Sequence, residues 1–214
     1  MGKRVVIAGG HGQIALKLEK LLAARGDQPV GIVRNPGHGA DLIAAGAEAI
    51  VLDLEKSDVD EVAKVLNGAD AAIFAAGAGP GSGLDRKDTV DKDAAVLFAE
   101  AAGRAGVRRH LQVGSMGADN PDASTDPGFA HYLRAKKAAE DDLRARDLDW
   151  TILRPGALTN DEATGKVLIA EKTGRGSIPR QDVAAVLVAL LDTPSTAGKT
   201  LEVISGDTAI TDAL

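Results

Sequence analysis

Apolar residues fall into short continuous runs at Val5–Ala8, Val30–Val33, Ala49–Leu52, Ala71–Ala75, His110–Val113, Trp150–Leu153 and Thr200–Ile204. Runs of this length, rich in β-branched residues and without strict polar alternation, read as strands covered on both faces. Between most of them the apolar period lengthens to that of a helix, at Gly12–Ala24, Asp58–Leu66, Asp91–Ala105, His131–Arg146 and Gln181–Leu191. Gly26, Gly68 and Gly106 stand just beyond three of these segments as stops. Repeated βα alternation with right-handed crossovers predicts an α/β fold: a doubly wound parallel sheet with helices on both faces.

The first run passes into Gly9-Gly10-His11-Gly12-Gln13-Ile14-Ala15 and then directly into a helix. Gly9 supplies a tight turn, Gly12 lets the backbone approach a pyrophosphate, and Ala15 lets the helix pack close on the strand. The free N–H groups at Gln13 and Ile14 and the positive end of the helix dipole then face the phosphates. The expectation is a dinucleotide site in a single Rossmann domain spanning residues 1–214, with small substrate-side elements within 154–180 and in the C-terminal segment. A plain strand-to-helix turn is the competing reading.

A formal charge of −6 with no basic block, and only five aromatic residues, disfavour nucleic acid as a partner. The absence of cysteine excludes disulfides and thiolate chemistry. The start, Met1-Gly2-Lys3-Arg4, precedes an apolar run too short for a signal peptide or membrane span, so a cytoplasmic protein is expected. His11, His38, His110 and His131 show no i, i+4 pairing, and no metal site is expected.

After the second run comes Arg34 rather than the acid that holds a ribose 2′-hydroxyl. An arginine fork suits a 2′-phosphate, so NADP is expected in preference to NAD, which stays open; a solvated surface arginine is the alternative. Asp53-Leu54 follow the third run, where Asp53 can accept from an adenine amine or simply cap a turn. The Gly/Pro/Asp-rich segments 78–86 and 117–128 follow the fourth and fifth runs and are expected to be loops that wall a substrate.

The chain's only tyrosine, Tyr132, is followed four residues later by Lys136, on one face of an expected helix. A lysine beside a phenol, together with an oxidised nicotinamide, tunes it toward proton donation to a carbonyl while a hydride arrives from the cofactor. Ser115, directly after the fifth strand, can hold the same substrate oxygen. A turn hydroxyl for Ser115 and a half-buried ring for Tyr132 are the plainer readings.

These residues, with Ala75-Ala76-Gly77 after strand four and Leu153-Arg154-Pro155-Gly156 after strand six, resemble an atypical short-chain dehydrogenase/reductase of the NmrA-like and flavin/biliverdin reductase-like kind. The resemblance covers nearly the whole chain. It implies that Ala75, Ala76 and Gly77 pass beside the adenosine ribose, that Pro155 lies near the nicotinamide, and that Lys136 reaches the nicotinamide ribose. Val90-Asp91 stand where many relatives carry the asparagine of a proton relay, and His11 stands where they carry a small residue. It also offers 91–105 and 131–146 as surfaces for a homodimer, with the oligomeric state left open. The expected function is NAD(P)H-dependent reduction of a small carbonyl, quinone or flavin-like acceptor. A non-catalytic NAD(P)-binding redox sensor is the second reading. A sugar epimerase or dehydratase comes third, because only about sixty residues follow strand six and relatives of that kind carry a sizeable C-terminal substrate domain.

Overall fold

The computed structural model describes residues 2–79 and 81–214; Met1 and Pro80, at the basic start and in the 78–86 segment, lie outside the described residues. The strands are β1 (Arg4–Ala8), β2 (Gln28–Val33), β3 (Glu48–Val51), β4 (Ala71–Phe74), β5 (Arg109–Val113), β6 (Asp149–Pro155), β7 (Ala157–Thr159), β8 (Lys166–Ala170), β9 (Ser177–Pro179), β10 (Lys199–Ser205) and β11 (Thr208–Ala209). The helices are α1 (Gln13–Ala24), α2 (Gly39–Ala44), α3 (Val59–Leu66), α4 (Leu84–Arg86), α5 (Ala94–Arg104), α6 (Pro127–Arg144) and α7 (Arg180–Leu191).

The main sheet runs β11-β8-β10-β6-β5-β4-β1-β2-β3, and from β10 to β3 every pair is parallel. The order reverses between β1 and β4, so the C-terminal ends of these two strands open a crevice at the switch point. Alternate residues of β1 feed two cores. Val5 and Ile7 pack with Leu18 and Leu22 of α1 and with Val183, Leu187 and Leu190 of α7. Val6 and Ala8 pack with Val62 and Leu66 of α3 and with Phe98 of α5 on the opposite face. All of these side chains are fully buried, and each large one contributes roughly 1.5–3 kcal/mol of transfer free energy. The expected doubly wound α/β sheet is therefore present.

Several expectations need correction. The helix read from Asp91 starts earlier, because α4 runs through a π-helical segment (Lys87–Asp93) into α5, and residues 84–86 are helix, not loop. Helix α6 begins at Pro127, inside the 117–128 segment, since Asp126 caps it by accepting from the N–H groups of Gly128 and Phe129. Pro121–Ala123 in the same segment form a 3-10 turn. Ala75 lies beyond β4, and Gly12 is the cap of α1 rather than its first residue. Strands β7, β8 and β9 lie within 154–180, where small elements were expected; α2 and the antiparallel pairing of β8 with β10 and β11 were unanticipated.

Candidate functional site

The glycine turn is held by packing as well as by backbone conformation. Gly9 has φ of 81°, and a Cβ there would lie 2.6 Å from the Cα of Ala76, so a side chain would be both strained and obstructed. Gly9 thus seats the β1 turn against the Ala75-Ala76-Gly77 segment. At Gly12 no side chain caps α1, and no acidic residue occupies its first turn, which begins with Gln13 and Ile14. The first N–H groups of a helix have no partner within it, so this end is open to an anion without competition from a carboxylate.

A cleft of about 230 Å³ opens beside this turn, lined by Gly9, Gly12, Arg34, Asp53, Leu54, Ala75, Ala76 and Gly77, all expected from the sequence. His11, His38, Glu55, Arg86 and Val90 also line it. The glycine turn and the uncapped helix end fit the phosphate-bearing adenosine part of a dinucleotide, while Ser115, Tyr132, Lys136 and Pro155 lie outside this cleft's lining. Asp53 accepts from the Glu55 N–H at 3.2 Å and so caps its own turn while lining the cleft. Arg34 is not free: its guanidinium lies 3.2 Å from Glu55, which also accepts from Arg86 at 2.9 Å and from Thr89 at 2.6 Å. Burial would raise the Glu55 carboxyl, but Thr89, Arg86 and Arg34 prevail and hold it below the usual carboxylate range. No local pattern signals this pairing, because Glu55 and Arg86 are thirty-one residues apart.

The second group of candidates meets around Lys136. Its side chain is buried, its ammonium donates to the Val113 carbonyl at 3.1 Å, and it lies 3.5 Å from Asp91 Oδ1. The same ammonium is 5.9 Å from the centre of the Tyr132 ring, so the i, i+4 pair shares one environment. Burial alone would lower the Lys136 pKa; Tyr132, Asp91 and Glu140 outweigh it and the net direction is upward, keeping the ammonium charged. Lys87, from the π-helical segment, places a second ammonium 5.2 Å from the Tyr132 ring, and Phe129 stacks on it at 5.7 Å. Ser115 stands at the end of β5, half-buried, its hydroxyl 3.3 Å from the Met116 carbonyl. The structure thus brings Tyr132 and Lys136 together, whereas Ser115 turns to its own backbone. Asp91, which stands where relatives carry the relay asparagine, pairs with Lys136, a contact no local pattern signals. It is sealed from solvent, accepts from the Ala78 N–H at 3.3 Å, and ties Lys136 to the loop that walls the cleft.

Pro155 ends β6, buried, while the preceding Arg154 turns toward α6. Its guanidinium reaches Glu140 at 3.1 Å and grips Asp119 through two 2.7 Å hydrogen bonds. A Cβ on Gly114 would collide with the Glu140 carboxylate, so Gly114, next to Ser115, lies directly over this ion pair. This charge cluster, buried at Arg154 and Glu140 and exposed at Asp119, therefore ties the end of β6, the 117–128 segment and α6 together beside Gly114. Among the described residues no group of three or more His, Asp or Glu is placed to hold a metal ion, and no helix is long and apolar enough to cross a membrane.

Comparison with known proteins agrees with this geometry. Residues 9–194 match the family model described as NAD(P)H-binding. Over 212 residues the chain is 38% identical to an uncharacterized sugar epimerase, YhfK, of Bacillus subtilis (strain 168), covering 99% of this chain and 98% of that one. A solved structure from Bacillus halodurans, named as a candidate NAD-dependent epimerase/dehydratase, superposes with a TM-score of 0.92 at 38% identity, covering 98% of this chain and 97% of that one. The oxidoreductase ylbE from Lactococcus lactis superposes with a TM-score of 0.84 at 29% identity, covering 98% and 94%. With a glycine turn, an uncapped helix end and a cleft at the switch point all present, the chain belongs to the NAD(P)H-binding family of Rossmann-fold proteins.

Proposed function

We propose that this protein is an NAD(P)H-dependent oxidoreductase that reduces a small carbonyl, quinone or flavin-like acceptor, with NADP(H) preferred. The observation that carries the reading is the buried, charged Lys136 facing Tyr132 beside the end of β5. A lysine enclosed at a strand's C-terminal edge, in a protein with a dinucleotide cleft, is costly to keep unless it serves the site. The similarity to the oxidoreductase ylbE supports the same class.

A reduced nicotinamide, when bound, supplies the hydride. Gly9, Gly12 and the N–H groups of Gln13 and Ile14 hold the pyrophosphate; Arg34 takes the 2′-phosphate, with Glu55 left to Arg86 and Thr89. Asp53 and Leu54 would hold the adenine, Ala75, Ala76 and Gly77 the adenosine ribose, and Pro155 the nicotinamide. Tyr132 gives its hydroxyl proton to the acceptor oxygen as the hydride reaches the adjacent carbon, and water later restores it. Lys136 favours the negative phenolic oxygen left behind, and Ser115 holds the acceptor oxygen after turning from Met116. A quinone or flavin can take its proton from water, and Tyr132 then serves as a wall.

A non-catalytic dinucleotide sensor is the second reading, favoured by one observation: Asp91 at 3.5 Å offsets part of the Lys136 charge that would assist the tyrosine. NADPH oxidation followed at 340 nm, the absorbance of reduced nicotinamide, over a panel of aldehydes, quinones and flavins separates the two. Turnover with any member supports the reductase, and tight NADPH binding without turnover supports the sensor.

A further inference from the structure

His11 and His38 come from different parts of the chain, the glycine turn after β1 and the 3-10 turn Pro36–His38 after β2, yet their rings stack at 3.7 Å with planes 13° apart. Both line the cleft together with Arg34 and Arg86. The pair is held in place at both ends. His11 Nε2 lies 2.7 Å from Asp41 of α2, and Asn35 caps the turn carrying His38 by accepting from the Gly37 N–H at 2.9 Å.

We propose that the stacked His11–His38 pair is a second contact for the ribose 2′-phosphate of NADP(H), beside Arg34, and that it makes the choice between NADP and NAD depend on pH. The inference rests on the reading that the cleft holds NADP(H). In that wall Glu55 is shared between the guanidiniums of Arg34 and Arg86, and a proton on the pair would add a further cation beside them. Imidazole is the side chain whose charge changes between about pH 5 and 8. The other charged groups around the pair are Asp41 from α2, Arg34 at the end of β2, Asp53 and Glu55 after β3, and Arg86 of α4. Carboxylates and guanidiniums ordinarily titrate outside that range. A proton on the pair adds an N–H donor and a charge against the phosphate, and losing it removes both. NAD, with a hydroxyl in place of the phosphate, is indifferent to the change.

The test uses adenosine 2′,5′-bisphosphate and 5′-AMP as probes, with Kd measured by calorimetry at roughly pH 6 and pH 8, the two sides of the imidazole range. The wild type is compared with the double variant His11→Asn/His38→Asn, and with His38→Asn alone, which leaves the glycine turn intact should the double variant fold poorly. A phosphate monoester loses its second proton near pH 6, but that titration is common to all three proteins and cancels in the comparison. The expected result is that the wild type prefers the bisphosphate over 5′-AMP more strongly than the variants do, by about tenfold at the lower pH and less than about twofold at the higher, the scale of one charge-assisted contact. The same preference in wild type and variants at both pH values overturns the inference while leaving the Arg34 reading intact. Equal binding of the two probes to the wild type overturns it together with the NADP preference. Failure of the wild type to bind either probe overturns the reading of the cleft itself.

Discussion

Lys136 and Asp91 form an ion pair of 3.5 Å with both side chains sealed from solvent, one from α6 and one from the π-helical turn that leads into α5. π-helical turns are uncommon, and here the extra residue brings Asp91 under the cleft loop and Lys87 over Tyr132. Asp91→Ala leaves a buried ammonium uncompensated and is expected to destabilise the protein by about 3–5 kcal/mol in urea unfolding. The pair Asp91→Leu/Lys136→Met, which removes both charges, is expected to recover most of that loss. A double variant no more stable than Asp91→Ala would show that the pair is not the source of the effect.

Arg34→Ala is expected to weaken NADP binding by roughly 1.5–3 kcal/mol and to leave NAD nearly unchanged, since a charge-assisted bond is lost only to the phosphate. Glu55→Gln should act in the opposite direction, because the carboxylate 3.2 Å from Arg34 competes for the same guanidinium. Titration of both cofactors against the three proteins checks this, and equal wild-type affinities for NADP and NAD would sink it.

Gly12 has φ of −64°, which any residue adopts, and a Cβ there meets the Gly9 carbonyl at 3.1 Å. Gly12→Val should therefore fold, at a cost of about 1–3 kcal/mol for crowding, while its branched side chain fills the space in front of the α1 N–H groups. Circular dichroism and cofactor fluorescence on one preparation read the two halves; undiminished binding would make the turn merely structural.

Glu19 of α1 is fully buried, and neither carboxyl oxygen has a hydrogen-bond partner among the described residues. It sits against Gly10 and Gly31 behind the glycine turn, and burial pushes its pKa up to about 8. The folded state keeps this proton while the unfolded chain releases it near the ordinary 4.5, so the folded state is fully favoured below that value and loses stability as pH rises toward 8. The loss is bounded at roughly 5 kcal/mol by the size of the shift. Glu19→Gln should flatten the stability profile between these limits, raising Tm more at the alkaline end. An unchanged slope would contradict the assignment.

Much of the fold was legible because most parallel strands carry a short apolar run and the glycine turn sits between a readable strand and helix. The edge was not: β8 shows Val167 buried but Lys166 and Leu168 exposed, a pattern too short to stand out, and α2 is six residues with a single buried side chain. The i, i+4 relation of Tyr132 and Lys136 is a local property of a helix and could be read directly. Pairings between distant segments could not. Glu55 with Arg34 depends on the pairing of β2 and β3, and Glu140 with Arg154 and Asp91 with Lys136 on how α6 docks, which no local pattern specifies.

In the proposed reaction Tyr132 supplies the proton when a carbonyl is reduced. The most direct measurement is kcat for NADPH-dependent reduction of a carbonyl substrate by Tyr132→Phe beside the wild type, with cofactor Kd determined on the same preparations. An unchanged Kd and a kcat lower by roughly 10²–10⁴, the usual contribution of a positioned acid, is the predicted result. A Tyr132→Phe variant that reduces the carbonyl at the wild-type rate would contradict it.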